Sequence, residues 1–218
     1  MDFDVVKSSR GRPAKTSRED ILDAACAQLK ENPFEELSLS ALARSMSLTP
    51  MALYRYFDDK NDLQQAIAER LMKTFVIDFD GCTDWQMKLR RWAMGLWHGF
   101  HDNPQLIHYM GWRGHIAGAW ISQIAMLAGV LKEAGLAGAD LAMAMKWISF
   151  SVIGIIHIAV IRTHRQVQLE STDIMPNDAL AAANFTPILA ELAGIDEQAL
   201  FEHHVAQIIA RLETILPR

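Results

Sequence analysis

Cysteine is scarce: the 218-residue chain has two, Cys26 and Cys82, far apart and without CxxC or Cys/His ligand spacing. That excludes a disulfide framework, gives no zinc pattern and fits a reducing cytoplasm. Alternating apolar and polar runs, the mark of half-buried strands, are missing as well. So are the motifs of common catalysis: no GxSxG, no glycine-rich phosphate loop after a strand and no HExxH. His203 and His204 are adjacent on a predicted helix, where side chains diverge by about 100° and cannot share a metal. His98 and His101 stand at i, i+3 and read as a polar helix edge. No enzyme activity, metal or cofactor is therefore expected. The start, MDFDVVKSSRGR, has acids before its basic residues and no apolar core, so no signal peptide is expected. The longest apolar run, WISFSVIGIIHIAVI at 147–161, contains Ser149, Ser151 and His157 and falls short of the roughly 20 residues that span a bilayer. It is read as a buried helix.

What is present is ordinary globular material, 50% hydrophobic and 22% charged, with a net charge of −5 that argues against general coating of nucleic acid. The charge is unevenly placed. Lys7, Arg10, Arg12, Lys15 and Arg18 form a run without an acid in a Gly-, Pro- and Ser-containing segment. It reads as a flexible basic arm on an acidic body, or more plainly as a solvated tail.

After the arm, Thr16 and Glu19 have capping-box spacing before Ile21, Leu22, Ala25, Cys26 and Leu29, and Pro33 ends this first helix. Ser38 can cap a second, two-turn helix with Leu39, Leu42, Ala43 and Met46 on one face. A tight turn at Ser47-Leu48 leads to Thr49 as a cap and Pro50 at the first helical position, which predicts a third helix over MALYRYF. Asp59, with Asp62 three residues on, caps a long fourth helix, KNDLQQAIAERLMKTFV.

Two short helices joined by a tight turn, the second polar-capped, make a helix-turn-helix, whose second helix lies in the DNA major groove. Leu53 and Phe57 then face the core, leaving Met51, Ala52, Tyr54, Arg55 and Tyr56 on outer faces. The tyrosine hydroxyls and Lys60 suit phosphate oxygens. An ordinary helical hairpin with half-buried surface tyrosines is the other reading of the same residues.

SLSALARSMSLTPMALYRYFDDKNDL, residues 38–63, resembles the DNA-binding signature of the tetracycline-repressor (TetR) family of bacterial regulators: capped helix, turn, aromatic-rich helix and the Phe-x-x-Lys junction. The resemblance implies that Ser38, Ser40, Thr49, Pro50, Met51, Tyr54, Tyr56 and Lys60 lie at or near DNA, with Arg55 beside it and Arg10, Arg12 and Lys15 of the arm joining them. Ser47 stands where the family usually has glycine, so a left-handed turn is expected at a small strain. Tyr56 stands where histidine is common.

Residues 78–218 read as helix almost throughout. Trp85, Leu89, Trp92, Leu96 and Phe100 share one face; a short helix follows Asn103-Pro104; helices are expected over HIAGAWISQIAMLAGVLKEAG, over 139–166 and from Asp196 onward; and 167–184 reads as a loop. The fold class expected is all-α, about nine helices, with a three-helix reader and a helical ligand-binding and dimerisation body. The domains expected are an arm at 1–15, a reader at 16–62 and a body at 63–218, with the fourth helix bridging at about 60–77. Trp92, Leu96, Phe100, Met110, Trp112, Trp120, Met143, Trp147 and Phe150 are the candidate pocket, with His98, His115 and His157 as polar tips, although plain core packing accounts for any one of them. Few acids between Asp102 and Glu133 favour an anionic or neutral lipophilic effector. The resemblance implies a homodimer through the helices around 139–166 and 196–216 on a near-palindromic operator. The expected function is a ligand-released repressor. An activator or ligand-independent regulator of the same fold, and an all-α enzyme, are the alternatives.

Overall fold

The computed structural model describes residues 16–74, 76–109, 118–165 and 179–216. Among these the chain forms ten α-helices and no strand: α1 (Arg18–Glu31), α2 (Leu39–Ser45), α3 (Pro50–Leu53), α4 (Lys60–Met72), α5 (Trp85–Asp102), α6 (Gly118–Glu133), α7 (Gly138–Arg165), α8 (Ala179–Phe185), α9 (Leu189–Ala193) and α10 (Glu197–Ile215). Short 3-10 turns occupy Pro104–Tyr109 and Thr186–Ile188. The all-α expectation holds. Two helices, α8 and α9, were not expected, while the short helix expected after Asn103-Pro104 is a 3-10 turn; α8 falls largely in the stretch expected as loop, where an alanine-rich sequence has strong helix propensity and few competing side-chain hydrogen bonds.

Local chemistry sets the boundaries. The capping box of α1 lies one residue beyond the expected pair: the Ser17 hydroxyl accepts from the Asp20 amide at 3.1 Å, and the Asp20 carboxylate accepts from the Ser17 amide at 2.7 Å. Thr16 and Glu19 take no part in it. The Asp59 carboxylate accepts the Asp62 amide at 2.8 Å and opens α4; Asp84 and Asp196 do the same for α5 and α10. The Asp20 carboxyl is held below its ordinary value by the Ser17 hydroxyl first and its amide second.

One continuous core runs through the molecule. In the reader it contains Ile21, Ala25, Leu42, Leu53, Phe57 and Ile67; in the body it contains Leu89, Trp92, Leu96, Phe100, Ile148, Val152, Phe201 and Val205. α4 joins the two, packing on α1 at one side and on α6 and the Pro104–Tyr109 turn at the other. Charge ties its ends to α1: Arg70 pairs with Glu19 and Asp23, and Arg18 meets Asp62 at 2.9 Å while lying 4.7 Å from the Phe57 ring centroid. The body touches the reader again where the His108 Nε2 lies 3.1 Å from the Pro33 carbonyl oxygen.

The apolar helix α7 is not buried all round, as its sequence suggested. Ile148, Val152, Ile156 and Val160 face the core, but Met143, Trp147, Phe150 and Ile158 are exposed along one stripe at helical spacing. Against the expectation of a run too short to span a bilayer and buried in the core, α7 is long and apolar enough to cross a membrane by length and composition, and 39% of its most apolar window is buried within the chain. In α10 Phe201, Val205, Ile208, Ile209 and Leu212 are buried, while Leu200 and Ile215 are exposed.

Candidate nucleic-acid interface

The surface made by α2, the turn and α3 follows from which side chains the core takes. Leu42 and Ala43 of α2 and Leu53 and Phe57 around α3 are buried, so the short helices are pinned from one side. The turn between them depends on Ser47, whose φ of 57° is the left-handed conformation expected there. Its amide donates to the Arg44 carbonyl at 3.1 Å, and the Leu48 amide donates to the Ala43 carbonyl at 2.8 Å. These bonds close α2 and aim the chain into α3.

α3 is shorter than expected. It is regular only over Pro50–Leu53; Arg55 and Tyr56 then donate to Ala52 and Leu53, three residues back, so 54–56 continue as a tighter turn. Thr49 occupies the cap position without a side-chain capping bond, which leaves its hydroxyl unengaged by the helix. The Ser38 hydroxyl, by contrast, caps α2 through the Ala41 amide at 3.3 Å.

Met51 is 74% exposed and Tyr54 41% exposed, while Ser38, Ser40, Thr49, Pro50, Arg55 and Lys60 are also at the surface. Tyr56 is half-buried against the core. Nine of the named reader residues thus lie on α2, its cap, α3 with its cap and following turn, and the start of α4, eight of them at the surface. Arg10, Arg12 and Lys15 lie outside the described residues. Arg44, exposed in the last turn of α2, adds a cation that the sequence reading passed over; a basic residue one turn before the bend was its signal. Cys26 is half-buried on α1, where burial pushes its thiol above the ordinary value.

The candidate pocket residues do not converge in the same way. Trp92, Leu96 and Phe100 are fully buried, with the Trp92 Nε1–H donating to the Gln123 carbonyl at 3.1 Å. Trp120 meets Phe100 edge-on, with ring centroids 6.4 Å apart. Met143, Trp147 and Phe150 lie on the exposed stripe of α7, because the long helix turns a different face to α5 and α6. Met110, Trp112 and His115 lie outside the described residues. The sequence missed Gln123, buried on α6 with its Oε1 unpartnered. It also missed a groove on the outer side of α5, whose signal was a second set of residues at helical spacing: Met87, Arg90, Met94 and His98. His157 is held below its ordinary value by burial and then by His108, and His204 by burial and then by His203. Among the described residues no cluster of His, Cys, Asp and Glu could hold a metal.

Residues 21–67 match the family model described as bacterial regulatory proteins, tetR family. The HTH-type transcriptional repressor Rv1353c of Mycobacterium tuberculosis is 28% identical over 102 residues, 46% of this chain. The match covers only 39% of that relative's length. The fold extends further. A crystal structure of a possible TetR family transcriptional regulator from Streptomyces coelicolor A3(2) superposes with a TM-score of 0.77 at 24% identity, over 91% of this chain and 100% of that one. The TetR family protein ActR of Streptomyces coelicolor, in complex with (S)-DNPA, superposes with a TM-score of 0.72 at 16% identity, over 94% of this chain and 100% of that one. Residues 21–67 thus match the model of the tetR family, and the chain as a whole shares the fold of solved TetR family structures.

Proposed function

We propose that the chain is a homodimeric repressor that holds a near-palindromic operator through α2 and α3 and is released by a small lipophilic molecule bound in its body. The observation that carries the DNA half is the exposure of Met51 and Tyr54 on a helix whose other side, Leu53 and Phe57, is locked in the core. Residues at 16–62 form the reader, 63–218 the body, and α4 spans them. Met51 and Pro50 meet base edges; Thr49, Tyr54, Tyr56, Lys60, Ser38 and Ser40 meet phosphates, with Arg55 beside them. The arm at 1–15 adds Arg10, Arg12 and Lys15. Such a protein works in the cytoplasm, where the operator is.

The exposed stripe of α7 supports the dimer. Four large apolar side chains in line on one helix are a contiguous patch of the kind that covers itself with a second copy, and two-fold symmetry then sets two readers about one DNA turn, roughly 34 Å, apart. Release works by linkage: an effector that prefers a conformation with the readers misplaced draws the population off DNA by its difference in affinity. Repressor activity in the Mycobacterium tuberculosis relative and a bound ligand in ActR support these two halves by likeness.

Fluorescence anisotropy with labelled DNA from beside the gene, against a shuffled duplex, between about 50 and 200 mM salt, tests the reading. Tight, steeply salt-dependent binding to the first DNA alone is expected. Equal weak binding to both, with every flanking segment tried, would overturn it.

A further inference from the structure

Val76, Ile77, Asp78 and Cys82, between α4 and α5, line with α5 an open groove of about 420 Å³. Its walls depend on one glycine. A Cβ at Gly95 would stand 2.6 Å from Ile77 Cγ1, so only glycine lets Ile77 seat on the helix and hold the connection against it. The groove's volume falls within the range of small-molecule sites.

Its charges are unequal. Arg91 is engaged, lying 3.3 Å from the Asp78 carboxylate and donating to the Asp80 carbonyl at 2.7 Å, so the carboxylate in the groove is already balanced. Arg90, one residue before it, lines the groove and has no ion pair among the described residues. Met87 and Met94 stand one turn to either side of Arg90, Val76 is 83% exposed at the rim, and His98 lies a further turn along. A guanidinium with no ion pair among the described residues, flanked by two pliable thioethers, suits a ligand with a carboxylate at one end and an apolar body at the other.

We propose that this groove binds a small amphiphilic carboxylate, its head on the Arg90 guanidinium and its apolar body over Met87 and Met94. The site is separate from the effector pocket of the proposed function and from the reader, and does not depend on either. A bound molecule would bridge α5 and the segment that leads out of α4.

Protein labelled with ¹³C at the methionine methyls, titrated with octanoate and with 1-octanol, tests the proposal by NMR. The Met87 and Met94 signals, assigned with Met87→Leu and Met94→Leu, should shift saturably with octanoate and about tenfold more weakly with the uncharged alcohol. Arg90→Gln should weaken octanoate by about tenfold, a loss of about 1.4 kcal/mol, with the other methionine signals in place as evidence of an intact fold. Still Met87 and Met94 signals, an equal response to both compounds, shifts confined to Met126 and Met145, or unchanged affinity in Arg90→Gln would each overturn it. Operator binding by the same samples is read separately by anisotropy, so loss of this site and loss of the DNA reading give different results.

Discussion

Met51 and Leu53 stand two residues apart on α3 and have opposite surroundings, 74% and 2% exposed. That contrast was legible in the sequence, because a fixed helix start and a 3.6-residue period decide which positions can face inward. The exposed tyrosine and lysine beside them are assigned to phosphate, which gives affinity without sequence preference. Tyr54→Ala and Lys60→Ala should therefore weaken specific and shuffled DNA in parallel and flatten the logarithmic salt dependence by about 0.9 per lost contact, as anisotropy over a salt series would report. Relaxed preference at a single base pair would move that residue to the base-reading set. Ser47 was also legible, as a non-glycine residue in a left-handed turn, and its φ of 57° agrees. Left-handed backbone costs an L-residue about 1–2 kcal/mol, and the extra freedom of glycine in the unfolded chain offsets about 0.5–1 of that. Ser47→Gly should raise stability by up to about 1.5 kcal/mol, a gain of a few degrees in thermal unfolding. What could not be read was the use of individual hydroxyls: Ser38 is occupied with its cap and Thr49 is not, a difference of local geometry in two similar residues.

Elements were legible where capping and periodicity agreed, and less so where two caps compete. Ser17 and Asp20 took the role expected of Thr16 and Glu19, since either pair has the same spacing and only the entry of the chain distinguishes them. The Asp20 carboxyl is lowered in the folded chain by its bonds to Ser17. A depressed carboxyl stabilises the fold above its unfolded value and loses that contribution as pH falls through the folded one. Hydrogen exchange at the first turn of α1 should thus quicken as pH is lowered below the ordinary carboxylate range, after correction for intrinsic rates. Asp20→Asn should remove most of that dependence; an unchanged profile in the variant would refute the assignment. α3 ended early because 54–56 tighten to three-residue bonds, a change no propensity scale marks. α7 was legible only in part. Its composition announced burial on all sides, but a sequence does not say whether the partner is the same chain or another.

At the scale of the molecule, the reader and the class of fold were within reach of the sequence, and the pocket was not. Trp and Met at helical spacing look alike whether they fill a core, as Trp92 does, or an outer stripe, as Met143 and Phe150 do; the choice depends on how α5, α6 and α7 are rotated against one another. If the outer stripe is covered by a second copy, Phe150→Glu should convert a sedimenting dimer into a folded monomer, since it places a charge in an apolar contact with only Lys146, one turn away, to offset it. Operator affinity should fall with it. A dimer that survives Phe150→Glu and Met143→Glu together would show that α7 meets no partner there.

The central claim is that two copies of α3 read one operator from its two halves. Hydroxyl-radical footprinting of the DNA beside the gene, with the parent protein and with Met51→Ala, addresses it most directly. The account predicts two protected segments of related sequence with centres about one helical turn, or a whole number of turns, apart, both lost or weakened together in Met51→Ala. A single unpaired protected segment, or a pattern of full strength in Met51→Ala, would contradict it.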